Sequence, residues 1–302
     1  METTESSGNP LVILNPAANR GKIHHYRALL RPYVERTQAE YVETGRRGEA
    51  QERAQRAAQE GRPVIIVGGD GSVHEVVNGL LSAKRRVPLG IIAAGSGNDY
   101  AWRALKLPQN PAAAIERAFY GQPIAVDAGR VNGYYFVNSF GVGLDANIAV
   151  AAGWLKKLPL MSGARLYYVA AVQQLLFGYH RCPWLSCCLD GEQQAAEKRY
   201  VLFAVTNGPA YGAGFRINPR ADYLDGFFDI CAIDYAPLLR ALKLLPVVKK
   251  GGHAHLPEVT FYRAKTIHIE SKKAVTVLMD GETTQATSFD VQILPGALLV
   301  RV

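Results

Sequence analysis

The stretch from Val64 to Leu81 constrains the fold of this sequence more than any other. It opens with four β-branched residues, Val64–Val67, which suit a strand buried on both faces. Gly68-Gly69-Asp70-Gly71-Ser72 comes next, and after it apolar residues recur at helical spacing, namely Val73, Val76, Val77, Leu80 and Leu81. The sequence therefore predicts a strand, a tight glycine turn and a helix.

This glycine turn has the chemistry of a phosphate site. Glycine lacks a Cβ atom, so the backbone can turn sharply and a ligand can approach its N–H groups. The free N–H groups and the dipole of the following helix favour a phosphate at the helix N-terminus. Asp70 does not suit a bare anion site. A carboxylate beside phosphates indicates a hard cation between them, most simply Mg²⁺.

Size, charge and cysteine content set broad limits. The 302 residues are enough for two domains, each with its own core, and the net charge of +8 indicates an anionic partner: a nucleotide, a nucleic acid or an anionic membrane surface. The most apolar stretch, residues 166–180, is too short to span a bilayer. The N-terminus is acidic and polar, unlike a secretory signal, and the four cysteines lack paired CxxC spacing. These features favour reduced thiols in a cytoplasmic protein over a zinc site.

The first half of the chain alternates strands with helices. Buried strands are predicted at 11–14, 40–43, 64–67 and 89–94, with helices at 24–37, 49–60 and 73–81. This alternation predicts a parallel, doubly wound sheet. Each strand is followed by a polar or glycine-rich turn, at 15–21, 44–48, 68–72 and 95–99. Because ligands of such sheets bind beyond the carboxyl ends of the strands, we expect the four turns to converge on one edge.

The pattern changes near residues 124–130, after which strands dominate. We expect a second, mostly antiparallel domain, closely joined to the first with a cleft between them. Two helical stretches interrupt it, at 147–178 and 237–250. The predicted strands are 134–139, 200–206, 227–233, 259–262, 266–270, 274–279 and 290–294.

Several motifs together resemble a known family. The turn at 68–72 with Glu75 and Asn78-Gly79, followed by Gly95-Ser96-Gly97-Asn98-Asp99, resembles the diacylglycerol kinase catalytic-domain family, specifically soluble bacterial lipid kinases related to diacylglycerol and sphingosine kinases. The match continues, in order, through 126–129, 140–145, 222–229 and 280–282, so it covers nearly the whole chain. Ser72 and Ser96 stand in place of the usual threonines and keep the hydroxyl.

The resemblance implies a two-domain fold. An α/β nucleotide-binding domain of the doubly wound, NAD kinase/diacylglycerol kinase-like kind is expected over residues 8–128, with 287–302 returning to it. A mostly antiparallel β-sandwich that takes the lipid substrate is expected over 129–286.

The resemblance also implies a set of nucleotide contacts and a magnesium site. Asp70, Asp99 and Asp127 would form a carboxylate network around Mg²⁺, partly through water, although Asp99 taken alone could simply cap a helix. The expected ATP contacts are Asn15, Pro16, Thr44, Gly68, Gly69, Asp70, Gly71, Ser72, Glu75, Gly95, Ser96, Gly97 and Asn98.

Two acidic motifs of the second half carry further expectations. In an extended chain Asp280 and Glu282 would point to the same side, which suits general-base work on a lipid hydroxyl. Sequence alone favours a plain Asp-Gly hairpin turn there; the resemblance makes both acids catalytic and leaves open which takes the proton. It also implies a second, structural cation, bound by the Asp225 carboxylate and backbone carbonyls near Asp222 and Phe227. The alternative is a polar turn without metal.

The leading hypothesis is an ATP-dependent, Mg²⁺-requiring lipid kinase. Its most favoured substrate is diacylglycerol, giving phosphatidic acid. An NAD kinase-like enzyme, which shares the GGDG turn, and a non-catalytic lipid- or nucleotide-binding module are the alternatives. Nucleic-acid binding rests on charge alone, without a recognition motif.

The expected partner is a lipid at a membrane surface, on the inner face of the cytoplasmic membrane. Lysines at 156–157, 249–250 and 272–273 could favour an anionic bilayer, although scattered solvated charge explains them as well. The apolar stretch 154–178 is the candidate membrane contact or acyl-chain pocket. The sequence leaves the oligomeric state open, a homodimer included.

Overall fold

The structure, a computed structural model, describes residues 8–21, 23–83, 85–155 and 163–302. The chain forms two compact units. The first comprises Met1–Ala128 and Pro295–Val302, and the second comprises Gly129–Leu294. We expected the whole of 287–302 to return to the first unit, but only residues 295–302 do so. Residues 287–294 belong to the second unit, where they pair with β12.

The first unit is built on a parallel sheet flanked by helices. Its strands β1 (Leu11–Leu14), β2 (Glu40–Glu43), β3 (Val64–Gly68) and β4 (Pro88–Ala93) lie in the order β4-β3-β1-β2, all parallel. The helices are α1 (His25–Thr37), α2 (Glu49–Gln59), α3 (Asp70–Ser82) and α4 (Pro111–Tyr120). Residues 64–67 have no exposed surface, as an uninterrupted β-branched run between two helix layers requires. The expected doubly wound α/β fold is therefore confirmed.

The second unit is mainly antiparallel. Its strands are β6 (Tyr134–Phe136), β7 (Ser139–Gly143), β8 (Trp184–Leu189), β9 (Glu192–Thr206), β10 (Phe228–Asp234), β11 (Val259–Ala264) and β12 (Thr266–Met279). Two further strands serve both units: β5 (Pro123–Val131), whose last residues pair with β6, and β13 (Glu282–Arg301). The main order is β11-β10-β9-β7-β12-β13, with β8 pairing with β9 and β12. One face of this sheet buries an aromatic core containing Phe136, Phe140, Phe203, Phe228 and Phe289.

Three helices, α5 (Leu144–Leu155), α6 (Gly163–Phe177) and α7 (Leu238–Lys250), belong to the second unit. Residues of these helices pack against β9 and β10 in a second apolar cluster. The helix predicted over 147–178 is thus two helices; Lys156 and Lys157 lie outside the described residues. None of the helices that the structure describes is long and apolar enough to cross a bilayer.

Several predicted strand boundaries were wrong. The strand expected at 134–139 is interrupted after Phe136, because the backbone at 137–139 donates to a side chain instead of continuing the ladder. The strands expected at 266–270 and 274–279 are one strand, β12, with an irregularity between Glu270 and Val275. Strand β8 was not predicted.

Candidate active site

The four turns of the first unit meet at one edge of its sheet, as expected for parallel strands. The Asn15 side chain donates from Nδ2 to Ser72 Oγ at 2.8 Å, joining the turns after β1 and β3. The Gly48 N–H donates to Glu75 Oε1 at 3.0 Å, joining the turn after β2 to helix α3. Helix α3 begins at Asp70, so Asp70 and Ser72 lie in its first turn rather than before it.

The turns after β3 and β4 approach each other through glycine backbones. A Cβ atom added at Gly95 would lie 2.5 Å from the Cα of Gly69, which is too close for any side chain. The Asn98 N–H donates to Asp70 Oδ2 at 2.7 Å, while Asn98 Oδ1 accepts the Gly95 N–H at 2.9 Å. Two loops of exposed or half-buried backbone are thereby fixed beside the N-terminus of α3, where N–H groups and helix dipole favour an anion.

The other predicted nucleotide residues lie at the same edge. Asn15 Oδ1 accepts the Ala17 N–H at 3.0 Å, a turn that holds Pro16, and the Thr44 N–H donates to the Leu14 carbonyl at 2.9 Å. Ser96 is exposed, and Gly97 lies against the Asp70 carboxylate. The structure therefore brings together the sequence-predicted contacts from all four turns.

The three aspartates expected around Mg²⁺ each have a different partner. Asp70 accepts from Asn98, Asp99 forms an ion pair with Arg103 at 2.8 Å, and Asp127 Oδ1 accepts the Gly296 N–H at 2.8 Å. The side chain of Asp99 makes no helix-capping hydrogen bond. Among the residues that the structure describes, no group of three His, Cys, Asp or Glu side chains could hold a metal ion. The three carboxylates thus do not converge as one set of direct ligands, and the carboxylate network that acts partly through water stays a prediction.

Asp280 and Gly281 form a two-residue hairpin turn between β12 and β13. Met279 pairs with Glu282, and both turn residues have positive φ, 46° and 95°. The chain is therefore not extended here, which removes the geometric premise for expecting Asp280 and Glu282 to point to the same side. The buried Asp280 carboxylate accepts the N–H groups of Val137, Asn138 and Ser139 at 2.7, 3.0 and 2.9 Å respectively. Glu282 is half-buried at the start of β13.

The second unit also contains an apolar pocket with two polar groups in its wall. Its cavity volume is about 100 Å³, and its lining comes from α5, α6, α7 and the adjoining strands, including Ala171, Leu175 and Leu244. In the wall, the Tyr211 hydroxyl donates to Asp145 Oδ2 at 2.9 Å. Burial raises the pKa of Asp145 to about 6, although the Tyr211 hydroxyl and the Ala146 N–H favour its ionised form. Burial and the neighbouring Asp145 raise the pKa of Tyr211 well above its usual value.

Sequence reasoning missed Asp145 and Tyr211 as site residues. A signal for Asp145 was present, since it ends the motif at 140–145. A Cβ atom at Gly141 would collide with the Asp145 carboxylate, so the glycine makes room for the acid. Tyr211 carries no comparable signal, because it follows a strand by five residues in an irregular segment.

The acidic motif at 222–229 forms a loop that runs into the first two residues of β10. Asp222 Oδ1 accepts the Leu224 N–H and Asp225 Oδ1 accepts the Phe227 N–H, each at 3.0 Å. The other oxygen of Asp225 accepts from the guanidinium of Arg263. The Asp225 carboxylate is therefore occupied by protein donors on both oxygens.

Comparison with known proteins divides the chain at nearly the same point as the two units of the structure. Residues 9–131 match the family model of the diacylglycerol kinase catalytic domain, and residues 138–302 match that of the YegS C-terminal NAD kinase beta sandwich-like domain. The chain is 33% identical to a diacylglycerol kinase of Mycobacterium tuberculosis over 243 residues, covering 78% of this chain and 75% of the relative. A diacylglycerol kinase of Staphylococcus aureus is 29% identical over 277 residues, 90% of this chain and 85% of its own. A solved structure from Bacillus anthracis str. Sterne, a candidate diacylglycerol kinase, has a TM-score of 0.80 at 25% identity and covers 99% of this chain and 96% of its own.

Proposed function

Because the chain belongs to the diacylglycerol kinase catalytic-domain family and is thus an ATP-dependent lipid kinase, we propose that it phosphorylates the free hydroxyl of diacylglycerol, giving phosphatidic acid. The observation that carries the proposal is the glycine cradle of the first unit. There the backbones of Gly69 and Gly95 meet beside Asp70, at the N-terminus of α3. This arrangement suits a triphosphate that arrives with its own cation.

The cradle residues would bind and orient the nucleotide. Backbone N–H groups of 68–71 would donate to phosphate oxygens, and the Ser72 hydroxyl is held by Asn15. Magnesium would come with ATP as part of the substrate, where it neutralises charge on the phosphates. Asp70, which the Asn98 N–H orients, is the carboxylate that would face it; Asp99 and Asp127 would act through water.

We assign the general base to Glu282 rather than to Asp280. Three backbone N–H groups already use the Asp280 oxygens, so Asp280 holds the hairpin that carries Glu282. Glu282 would take the proton of the lipid hydroxyl while the hydroxyl oxygen attacks the γ-phosphorus of ATP and ADP leaves. A positioned base of this kind contributes roughly 10²–10⁴ in rate.

The apolar pocket of the second unit would take part of the lipid. Its lining is aliphatic and aromatic, which suits an acyl chain, and the Asp145–Tyr211 pair offers hydrogen bonds to an ester or hydroxyl. Its volume of about 100 Å³ is below the roughly 300–1,000 Å³ of ordinary small-molecule sites, so side chains must move to admit a chain.

Exposed apolar side chains of α5 and α6 would contact the membrane in which the lipid lies. Trp154 and Phe177 are 69% and 73% exposed, and Leu176 is 49% exposed. Lys249 on α7 lies with its ammonium 4.8 Å from the ring centre of Tyr168 on α6, which brings positive charge to these helices. An apolar surface with nearby lysines suits the anionic inner face of the cytoplasmic membrane.

A substrate panel tests the proposal. Labelled ATP and Mg²⁺ are incubated with diacylglycerol, monoacylglycerol, phosphatidylglycerol, a sphingoid base or NAD, each lipid in mixed vesicles. The expected product is phosphatidic acid, and Asp70→Asn should abolish it. Ala171→Phe, which fills the pocket, should raise the KM for diacylglycerol and leave that for ATP unchanged. Label transferred only to NAD, or binding of ATP without turnover, would contradict the proposal.

A further inference from the structure

The acidic loop, residues 222–229, is where the family resemblance implies a structural cation. Its three carboxylates belong to Asp222, Asp225 and Asp229. A bound divalent cation such as Ca²⁺ needs six or more oxygen ligands, and Mg²⁺ needs near-octahedral geometry. A structural cation here would therefore require several loop oxygens that protein donors do not already use.

The positively charged side chain of Arg263 already binds the carboxylates of this loop. Arg263 on β11 lies directly opposite Asp229 on β10 in the antiparallel register. Its guanidinium donates to Asp225, and its Nε lies 3.9 Å from Asp229 Oδ1. It also stacks on Phe227, with Cζ 4.7 Å from the ring centre. One guanidinium therefore bridges two of the three carboxylates.

Two further carboxylate oxygens of the loop accept backbone N–H groups. Asp222 and Asp225 each accept the N–H two residues ahead, from Leu224 and Phe227, and these local turns fold the loop without a ligand. Gly226, at φ 74°, supplies the positive φ between them. The carboxylates act as turn acceptors rather than as convergent ligands.

Charge balance points the same way. The Lys265 ammonium lies 4.7 Å from the ring centre of Phe227. The Arg263 guanidinium is paired with Asp225 and lies 3.9 Å from Asp229, so a divalent cation here would add positive charge beside a guanidinium.

We propose that Arg263 takes the place of a structural metal in this chain and that the folded second unit does not depend on a divalent cation at the acidic loop. The inference concerns only the loop and is independent of the kinase assignment. It also separates this loop from the cation that accompanies ATP.

Thermal unfolding without nucleotide tests the proposal. Wild type, Arg263→Gln, Asp225→Asn and the double variant are compared in EDTA and in 5 mM Mg²⁺ or Ca²⁺, with ionic strength matched by NaCl. Arg240→Gln is the matched control, because it removes another ion pair of the same unit, with Glu258 at 2.7 Å. We expect the Tm of wild type to be the same in EDTA and in either metal. Arg263→Gln should lower the Tm in EDTA by about 2–4 °C, the shift that ~1 kcal/mol gives in a domain of this size.

Part of that loss should return with metal in Arg263→Gln, because its carboxylates are then unneutralised, but not in the double variant or in Arg240→Gln. A wild-type Tm that rises with metal and loses this rise in Asp225→Asn would overturn the proposal. So would an Arg263→Gln protein as stable as wild type in EDTA, since the guanidinium would then hold nothing.

Discussion

Replacing Asp280 by Asn separates a structural role of this carboxylate from a catalytic one. In the folded protein Oδ1 accepts two N–H groups, of Asn138 and Ser139, and Oδ2 accepts that of Val137. An asparagine can keep its one oxygen toward the first two donors. Its NH₂ group then faces the Val137 N–H, so one charge-assisted bond is lost and a buried donor is left unsatisfied.

The expected magnitude follows from those contacts. A hydrogen bond to a charged group is worth roughly 1.5–3 kcal/mol, and an unsatisfied buried donor costs about 1–3 kcal/mol. These terms overlap, so we expect Asp280→Asn to lose about 3 kcal/mol of unfolding free energy. For a unit of this size the loss corresponds to roughly 6–12 °C in Tm. Activity should fall as well, because the hairpin that carries Glu282 shifts.

Urea unfolding and steady-state kinetics of two variants check this reasoning. Glu282→Gln, at the half-buried position two residues on, should change the unfolding free energy by no more than about 0.5 kcal/mol and lower kcat by about 10²–10⁴. An Asp280→Asn protein as stable as wild type would refute the stabilising role that we infer from the three hydrogen bonds to the Asp280 carboxylate. A fully active Glu282→Gln protein would refute the assignment of the base.

Three further predictions concern the cradle, the pocket and the apolar helices. Gly95→Ala forces a Cβ against Gly69, and at an overpacking cost of about 1–3 kcal/mol it should weaken ATP binding roughly 5- to 150-fold by calorimetry. The pKa of Asp145 is about 6 in the folded protein, above its ordinary 3.8, so the folded state binds this proton more tightly than the unfolded state does. The unfolding free energy should therefore fall by up to about 3 kcal/mol as pH rises from 4 to 6. Urea unfolding of Asp145→Asn should not show this fall. Trp154→Ser with Phe177→Ser should weaken sedimentation with anionic vesicles at least ~10-fold.

Each of these predictions has a control variant with a different expected result. Gly153→Ala adds a Cβ with no atom within 4 Å and should leave ATP binding unchanged. Tyr211→Phe removes a hydrogen bond that favours ionised Asp145, so it should extend the fall in stability to higher pH and make it larger. Trp184, 54% exposed on β8, should be replaceable by Ser without loss of vesicle binding. Equal effects of a test variant and its control would contradict the corresponding prediction.

The first unit was the easier half to predict from sequence. Its strands at 11–14 and 40–43 have the expected bounds. Both belong to a parallel sheet whose strands alternate with helices along the chain, so the change of period marks where each strand ends. The glycine turns could be placed for the same reason, since the fold gathers the ends of parallel strands. What sequence could not give there is the partner of each carboxylate: Asp99 pairs with Arg103 and Asp127 with a glycine N–H.

The second unit resisted prediction because its strands are long and half-exposed. Residues 271–273 are polar and read as a break, yet β12 continues through them on an exposed stretch of sheet. The role of Asp280 depends on donors more than 140 residues away in sequence, which no local pattern reveals. For Asp145 the motif was visible but its tyrosine partner was not, because the two are brought together only by the fold.

The strand β13 has a consequence for how the chain matures on the ribosome. Its residues Leu299 and Val300 pair with Pro88 and Leu89 of β4 and so complete the sheet that the first residues of the chain began. The sheet of the first unit can therefore be completed only after Leu299 and Val300 have been synthesised and have left the ribosome. Deleting residues 295–302 should accordingly harm the nucleotide-binding unit, although its other strands precede these residues by some 170 or more positions.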